Sequence, residues 1–222
     1  MYVPPRYHLD RAACLAFAAA RGFGTVIGYD SGRPVASPLP FAIVYADDGT
    51  PRAQLHVARG NPLAALAARG GQWLIAVNGD DAYVSPLWYV SPDQVPTWLY
   101  ETVHLTGRVR AVPAGELRGH LDVLTAQFEA GAANVWTFDR VIAGRREKLM
   151  QAIVGIEIEV ETVEGSAKLN QNKSDADFAS VAMRLRASGD PAARRISERM
   201  VALRPHLSYE NAPKEESHGQ HS

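Results

Sequence analysis

The chain has 222 residues, 46% of them hydrophobic, and carries 23 Lys and Arg against 24 Asp and Glu for a net charge of −1. That length and apolar content sustain a core without disulfides or metals, and the even charge excludes a protein that coats nucleic acid or an anionic membrane through its overall field. The most apolar runs, Phe41–Tyr45 and Trp73–Val77, are too short to span a bilayer. The opening Met1-Tyr2-Val3-Pro4-Pro5-Arg6 lacks signal-peptide character, and the single Cys14 allows no internal disulfide, so a reducing cytoplasm is the expected address.

From the N-terminus, Asp10–Arg21 is alanine-rich and reads as a helix with Asp10 as its N-cap. Thr25–Tyr29, Pro34–Tyr45 and Arg52–Val57 have strand character, with turns at Asp30-Ser31-Gly32 and Asp47-Asp48-Gly49, the latter a hairpin connection. Asn61-Pro62 starts a helix sharply, since Asn caps and Pro suits the first helical position. After Gly70-Gly71 come a strand at Trp73–Val77, a turn signal at Asn78-Gly79-Asp80-Asp81, and a strand at Val103–Val112. Glu116–Glu129 sets Leu117, Leu121, Leu124 and Phe128 on one helical stripe, and Phe138–Gln151 is a weaker helix. In Ile156–Val163, Ile156, Ile158 and Val160 alternate with Glu157, Glu159 and Glu161, which predicts one buried and one wet face. Phe178–Arg186 and Pro191–Leu203 are amphipathic helices, and the polar tail 209–222 is read as disordered. The expected fold is a single α+β domain over 1–208, with a nearly closed antiparallel barrel and C-terminal helices from about 175.

Four segments carry possible chemistry. In Leu55-His56-Val57-Ala58-Arg59-Gly60-Asn61-Pro62 a strand ends, an Arg follows and a helix begins. Unpaired N–H groups at the helix start and a charged planar fork make a phosphate site. The plainer alternative, which the local sequence favours, is a capped helix beside a solvent-exposed Arg. Tyr83, Trp88, Tyr89, Trp98 and Tyr100 concentrate aromatic surface for a planar ligand, a subunit interface or simply a core. His56 and His104 lie on strands, either facing a cavity or as ordinary structural residues. Lys168-Leu169-Asn170-Gln171-Asn172-Lys173 is dense in donors, for a polar heterocycle or as a solvated cap of the next helix. The arginines at 184, 186, 194, 195, 199 and 204 form either a nucleic-acid contact or a solvated helix face with some ion pairs. There is no Walker-type loop, no Gly-x-Gly-x-x-Gly after a strand, no zinc-ligand spacing and no nucleophile–base pair, so no catalytic or metal residue is assigned.

Taken in order, several of these segments resemble the PaiB-like family of FMN-binding negative transcriptional regulators. They are Met1-Tyr2-Val3-Pro4, His56 to Pro62, Asp81-Ala82-Tyr83-Val84-Ser85-Pro86 with Trp88-Tyr89, Val95-Pro96-Thr97-Trp98, Val103-His104 with Gly107, Ile153 to Ile158, and Lys168 to Lys173. The resemblance covers about residues 1–190. It implies an FMN-binding split β-barrel, similar to pyridoxamine-phosphate oxidase, built as a homodimer with flavin at the subunit interface. It also implies that Arg59 and the helix from Asn61 hold the phosphate and that Ala36, Ser37 and Leu39 offer backbone contacts to the ring. His56, Ala58 and Trp98 belong to the same implied cofactor set, with Lys168 and Gln171 approaching from the late loop. DNA contact would fall to the arginine-rich C-terminal helices. Two departures stand out: Leu99 where the family has Asn, expected to remove a polar contact if it faces ligand, and Lys168-Leu169-Asn170-Gln171-Asn172-Lys173 for Lys-Leu-Ser-Gln-Asn-Arg. The alternatives carried alongside are a flavin-dependent oxidoreductase, a haem-degrading split-barrel relative using His56 or His104, and a dimeric barrel that has lost its cofactor.

Overall fold

The computed structural model describes residues 1–210, so the expected disordered tail lies, from residue 211, outside the described residues. The elements in order are β1 (His8–Leu9), α1 (Arg11–Arg21), β2 (Phe23–Asp30), β3 (Arg33–Pro40), β4 (Ala42–Tyr45), β5 (Pro51–Ala58), α2 (Pro62–Arg69), β6 (Gln72–Val84), β7 (Thr97–Ala111), α3 (Leu117–Glu129), α4 (Ala143–Gln151), β8 (Ile153–Lys168), α5 (Asp175–Arg186) and α6 (Pro191–Leu203). The strands form one sheet in the order β3-β2-β6-β7-β8-β5-β4, with β1 on β8. The expected α+β class is therefore observed.

Local chemistry accounts for most boundaries. Asp10, Asn61, Ser174 and Asp190 each cap a helix, accepting from Ala13 N, Leu63 N, Asp177 N and Ala192 N. The β2–β3 hairpin turns at Ser31-Gly32, where both residues have positive φ, the conformation that matches strand twist in a two-residue loop. Four expectations are corrected. Pro34–Tyr45 is two strands, broken at the fully buried Phe41, whose N–H bonds Gly22 O instead of a ladder partner. Asn78-Gly79-Asp80-Asp81 is not a turn but the middle of β6, where Thr102 Oγ1 bonds Asn78 Oδ1 at 2.8 Å and Arg195 forks onto Asp80 at 2.6 and 2.8 Å. Such tertiary partners override turn propensity. Phe138–Gln151 is a single 3-10 turn at Phe138–Arg140 followed by α4. Phe128 is about half exposed and leaves the stripe that buries Leu117, Leu121 and Leu124.

The chain forms two compact units. The first comprises Met1, Leu9–Asn78 and Thr102–Gly165. Its core takes alternate residues of the strands: Ala53, Leu55 and Val57 of β5, Val103, Leu105 and Val109 of β7, and Ile156, Ile158 and Val160 of β8. Cys14 packs there, as expected of a small core residue. Gly165 faces it, and a Cβ at that position would lie 2.3 Å from Cys14 Sγ. The second unit comprises Tyr2–His8, Gly79–Glu101 and the described residues from Ser166 on. In it α5 and α6 pack through Phe178, Val181, Leu185, Ile196 and Met200. The buried Asp177 accepts from Val90 N, Ser91 N and Ser91 Oγ, all at 2.8 Å, and so ties the segment after β6 to α5.

Candidate functional site

β5 ends at Ala58, opposite Ile153 of β8, and the next residue is Arg59. Arg59 N donates to Ala152 O at 2.8 Å, its Nε donates to Gln151 O at 2.8 Å and its Nη2 to Ile153 O at 3.0 Å. These carbonyls close the C-terminal end of α4, which cations favour. All three acceptors are neutral main chain. Among the described residues Arg59 has no carboxylate partner, so its guanidinium is held in place by the backbone while its charge stays uncompensated.

Asn61 follows. Its Oδ1 accepts from Leu63 N at 2.9 Å, its carbonyl accepts from Ala64 N, and Pro62 has no N–H, so the first turn of α2 has already used its donors. The expectation of free N–H groups at this helix start is corrected accordingly. Asn61 Nδ2 donates to Ser37 Oγ at 3.0 Å, which fastens β3 to the same corner. β3 ends the pairing order, so its outer backbone edge is not committed to the sheet. Along it Ala36 is exposed while Ser37 and Leu39 are half-buried. The first unit thus gathers Ala36, Ser37, Leu39, His56, Ala58, Arg59 and Asn61 on two strands and the corner that follows.

Beside Arg59 opens a cleft of about 470 Å³, walled mainly by Val112, Leu117, Met150, Ile153 and Val154, with Glu147 as its carboxylate. A second, more polar cleft of about 340 Å³ lies over β5 and α3, lined by Gln54, Arg110, His120 and Glu157 among others.

The polar cleft contains what sequence reasoning missed. Glu157 is not on a wet face; it is buried, 4% exposed. Its Oε1 takes Arg110 Nε at 2.9 Å and Arg52 Nη1 at 3.5 Å, and its Oε2 takes Gln54 Nε2 at 3.2 Å. A buried carboxylate is tolerable only when paired in this way. The alternation of β8 is therefore apolar on one side and ion-paired on part of the other. The signal was the cross-strand register Gln54↔Glu157, invisible until the partner strand is known. His120 is also buried and sits on the apolar stripe of α3 three residues after Leu117. Its Nε2 lies 2.6 Å from Leu55 O. A carbonyl only accepts, so Nε2 carries the hydrogen and Nδ1 keeps a lone pair. β4 reaches only as far as Gln54, and His120 supplies the donor that β5 lacks beyond that point.

Burial lowers the His120 pKa, against smaller upward contributions from the Leu55 carbonyl and Glu157 and with a small downward one from Arg110. Burial, then His120, lowers that of His56, and neither ring has a partner for Nδ1. Burial, then the N-terminal ammonium, lowers that of His104. A folded state that disfavours imidazolium keeps full stability above the unfolded value near 6.5 and loses it as pH falls toward the folded values. We expect urea midpoints to drop between pH 7.5 and 5.5. His120→Gln, which retains an N–H for Leu55 O but cannot titrate, should shrink that drop, whereas an unchanged drop would remove His120 as a contributor.

The second unit places Trp98, Lys168 and Gln171. Trp98 is 54% exposed and meets Tyr83 edge-on at 5.8 Å. Lys168 is the last residue of β8 rather than part of a loop. Its Nζ donates to Thr97 Oγ1 at 2.7 Å and lies 6.0 Å from the Tyr100 ring centre, and burial lowers its pKa. Gln171 turns inward, donating to Ala167 O at 2.6 Å and accepting from Leu169 N at 2.7 Å, so it braces its own turn rather than reaching outward. Asn170 has φ +63°, a conformation Asn tolerates well, which explains its presence in this motif. Lys173 bonds Gln94 and lies 4.7 Å over Tyr89. Leu99 is fully buried, so it faces core and not ligand, and its difference from the family residue costs no surface contact. The C-terminal arginines are largely engaged. Arg195 binds Asp80, Arg199 binds Glu101 at 2.8 Å, Arg204 binds Asp175 at 2.8 Å and Arg194 donates to Ser188 O at 2.9 Å.

Residues 1–162 match the family model described as "Putative FMN-binding domain". Over 201 residues the chain is 30% identical to protease synthase and sporulation protein PAI 2 of Bacillus subtilis, covering 90% of this chain and 96% of that one. Among solved structures it resembles the FAD and heme binding protein of Mycobacterium smegmatis, with TM-score 0.55 and 20% identity over 77% of this chain and 78% of that one. A conserved hypothetical protein of Mycobacterium tuberculosis gives TM-score 0.54 at 14% identity, over 78% and 94%. At these identities the structures establish the fold, an α+β split β-barrel. No helix among the described residues is long and apolar enough to cross a membrane, and no group of three metal-ligating side chains occurs among them.

Proposed function

Because this chain belongs to the FMN-binding domain family, we propose that it holds FMN with the phosphate on Arg59, and that it acts as a flavin-dependent regulator of the PaiB type. The observation that carries the placement is the Arg59 guanidinium, pinned by two carbonyls and, among the described residues, matched to no carboxylate. A fixed, uncompensated fork is suited to a phosphate, whose oxygens supply the missing charge. The free edge of β3 from Ala36 to Leu39 offers main-chain donors and acceptors to the ring, and His56 and Ala58 lead the strand to Arg59. Asn61 serves by fastening Ser37. The second unit independently offers an exposed indole at Trp98 and, at Lys168, a cation bonded to the Thr97 hydroxyl. Bound FMN supplies the hydride and electron chemistry, and the protein orients it and tunes its surroundings.

The active form in this reading is a homodimer. Tyr83, Leu87, Val90, Val95 and Trp98 expose an apolar surface in the second unit that a second copy would cover. The proposal does not extend to DNA contact through α5 and α6. Arg195, Arg199 and Arg204 already hold carboxylates, and a chain of net charge −1 needs a free basic patch to engage phosphate backbone. Titrating the intact chain with FMN tests the reading. Saturation at one flavin per chain supports it, and no binding at micromolar FMN overturns it.

A further inference from the structure

The polar cleft over β5 and α3 lies wholly in the first unit and is lined by hydrogen-bonding groups that the fold leaves unspent. Gln54 Nε2 donates to Glu157 Oε2, while Gln54 Oε1 is buried with no partner among the described residues. His120 is 4% exposed and spends Nε2 on Leu55 O. Its other ring nitrogen, Nδ1, is buried and equally unpartnered. Because Leu55 O fixes the tautomer, Nδ1 is an acceptor, as is the Gln54 amide oxygen. Buried acceptors without a hydrogen are costly, so a ligand that supplies the hydrogens is favoured. Glu157 Oε2 takes one bond, from Gln54, and can accept another.

The cleft's cation is already in use: Arg110 lies between Glu157, at 2.9 Å, and Glu116, at 3.5 Å. With Arg52 and Glu159, which join the same ion-pair cluster, two arginines face three glutamates and the cluster is net negative. Three acceptors in such a field suit a compact cation with three N–H donors, which is a primary ammonium. A bare metal ion suits them less. Alkali and alkaline-earth ions favour oxygen over imidazole nitrogen, and no group of three metal-ligating side chains occurs among the described residues. Gly115 and Gly119 also line the cleft, and nothing lies within 4 Å of a Cβ added at either. They leave room beside Val112 for an unbranched alkyl stem, in a volume of about 340 Å³ that falls within the range of small-ligand pockets.

We propose that this cleft binds a small primary alkylammonium ion, its N–H groups on Gln54 Oε1, His120 Nδ1 and Glu157 Oε2 and its stem along Val112. Arg59 does not line the cleft, so the proposal stands apart from the flavin reading.

Calorimetric titration of the intact protein with n-butylammonium chloride tests this. Saturation at one ion per chain is expected, with Kd near or below roughly 1 mM. Tetramethylammonium, a cation without N–H groups, and potassium should each bind at least about tenfold more weakly. Gly119→Phe should occupy the cleft and weaken n-butylammonium binding by at least about tenfold, and phenylalanine suits a helix better than glycine does. Gly119→Ala leaves the cleft open and should bind as the parent does, with circular dichroism establishing that both variants are folded. No saturation with n-butylammonium overturns the site and leaves its acceptors to water. Equal affinity for tetramethylammonium reduces it to a general attraction for cations and also overturns it, as does undiminished affinity in Gly119→Phe.

Discussion

Arg59→Ala is expected to weaken FMN binding by roughly a hundredfold, near 3 kcal/mol, the worth of a charge-assisted contact to a phosphate. The guanidinium does not have to be ordered on binding, because Gln151 O and Ile153 O already fix it. Arg59→Lys keeps the charge but loses the fork and two of its geometric ties, so its affinity should fall between the two. The same ties give Arg59 a scaffolding role at the end of α4, which the alanine variant also removes. Riboflavin separates the roles. It lacks the phosphate, so Arg59→Ala should leave its binding nearly unchanged if Arg59 is an anchor. Equal losses for riboflavin and FMN would make Arg59 a scaffold residue only.

Gly107→Ala should be the most damaging small substitution in the first unit. An added Cβ would lie 1.8 Å from Glu159 O, 2.6 Å from Glu159 C and 3.0 Å from Val160 Cα. All three are main-chain atoms of the neighbouring strand, so no side chain can rotate away, and β7 and β8 must separate. Overpacking of this kind costs about 3 kcal/mol or more, which lowers Tm by roughly 6–12 °C in a chain of this size. Gly115→Ala is the control, since nothing lies within 4 Å of its Cβ, and it should stay within about 0.5 kcal/mol of the parent. A Gly107→Ala protein that melts with the parent would mean that the β7–β8 contact is looser than described.

What was legible in the chain was local. The caps at Asp10 and Asn61 follow from one side chain and the backbone two or three residues on. The apolar face of β8 follows from its alternation. Arg59 was legible as a candidate because a strand end, an arginine and an Asn-Pro start stand side by side, but its acceptors come from residues 151 and 153, about ninety positions away. An alternating glutamate such as Glu157 looks solvated until Arg52, Gln54 and Arg110 are brought against it. A histidine on an apolar stripe, as His120 is, reads as filler, and the open carbonyl of Leu55 depends on where β4 stops. Gln171 is legible as a donor but not as one already in use, and the ion pairs expected of the α6 arginines are legible without their partners Asp80 and Glu101. In each case the residue type was visible and its partner was not.

The central claim is a phosphate-anchored flavin, and the most direct measurement is the affinity of the wild-type chain for FMN against riboflavin under one set of conditions. FMN should bind roughly a hundredfold more tightly than riboflavin, with visible flavin absorbance retained after desalting. Equal affinities, or a protein that is colourless after the same treatment, would contradict it.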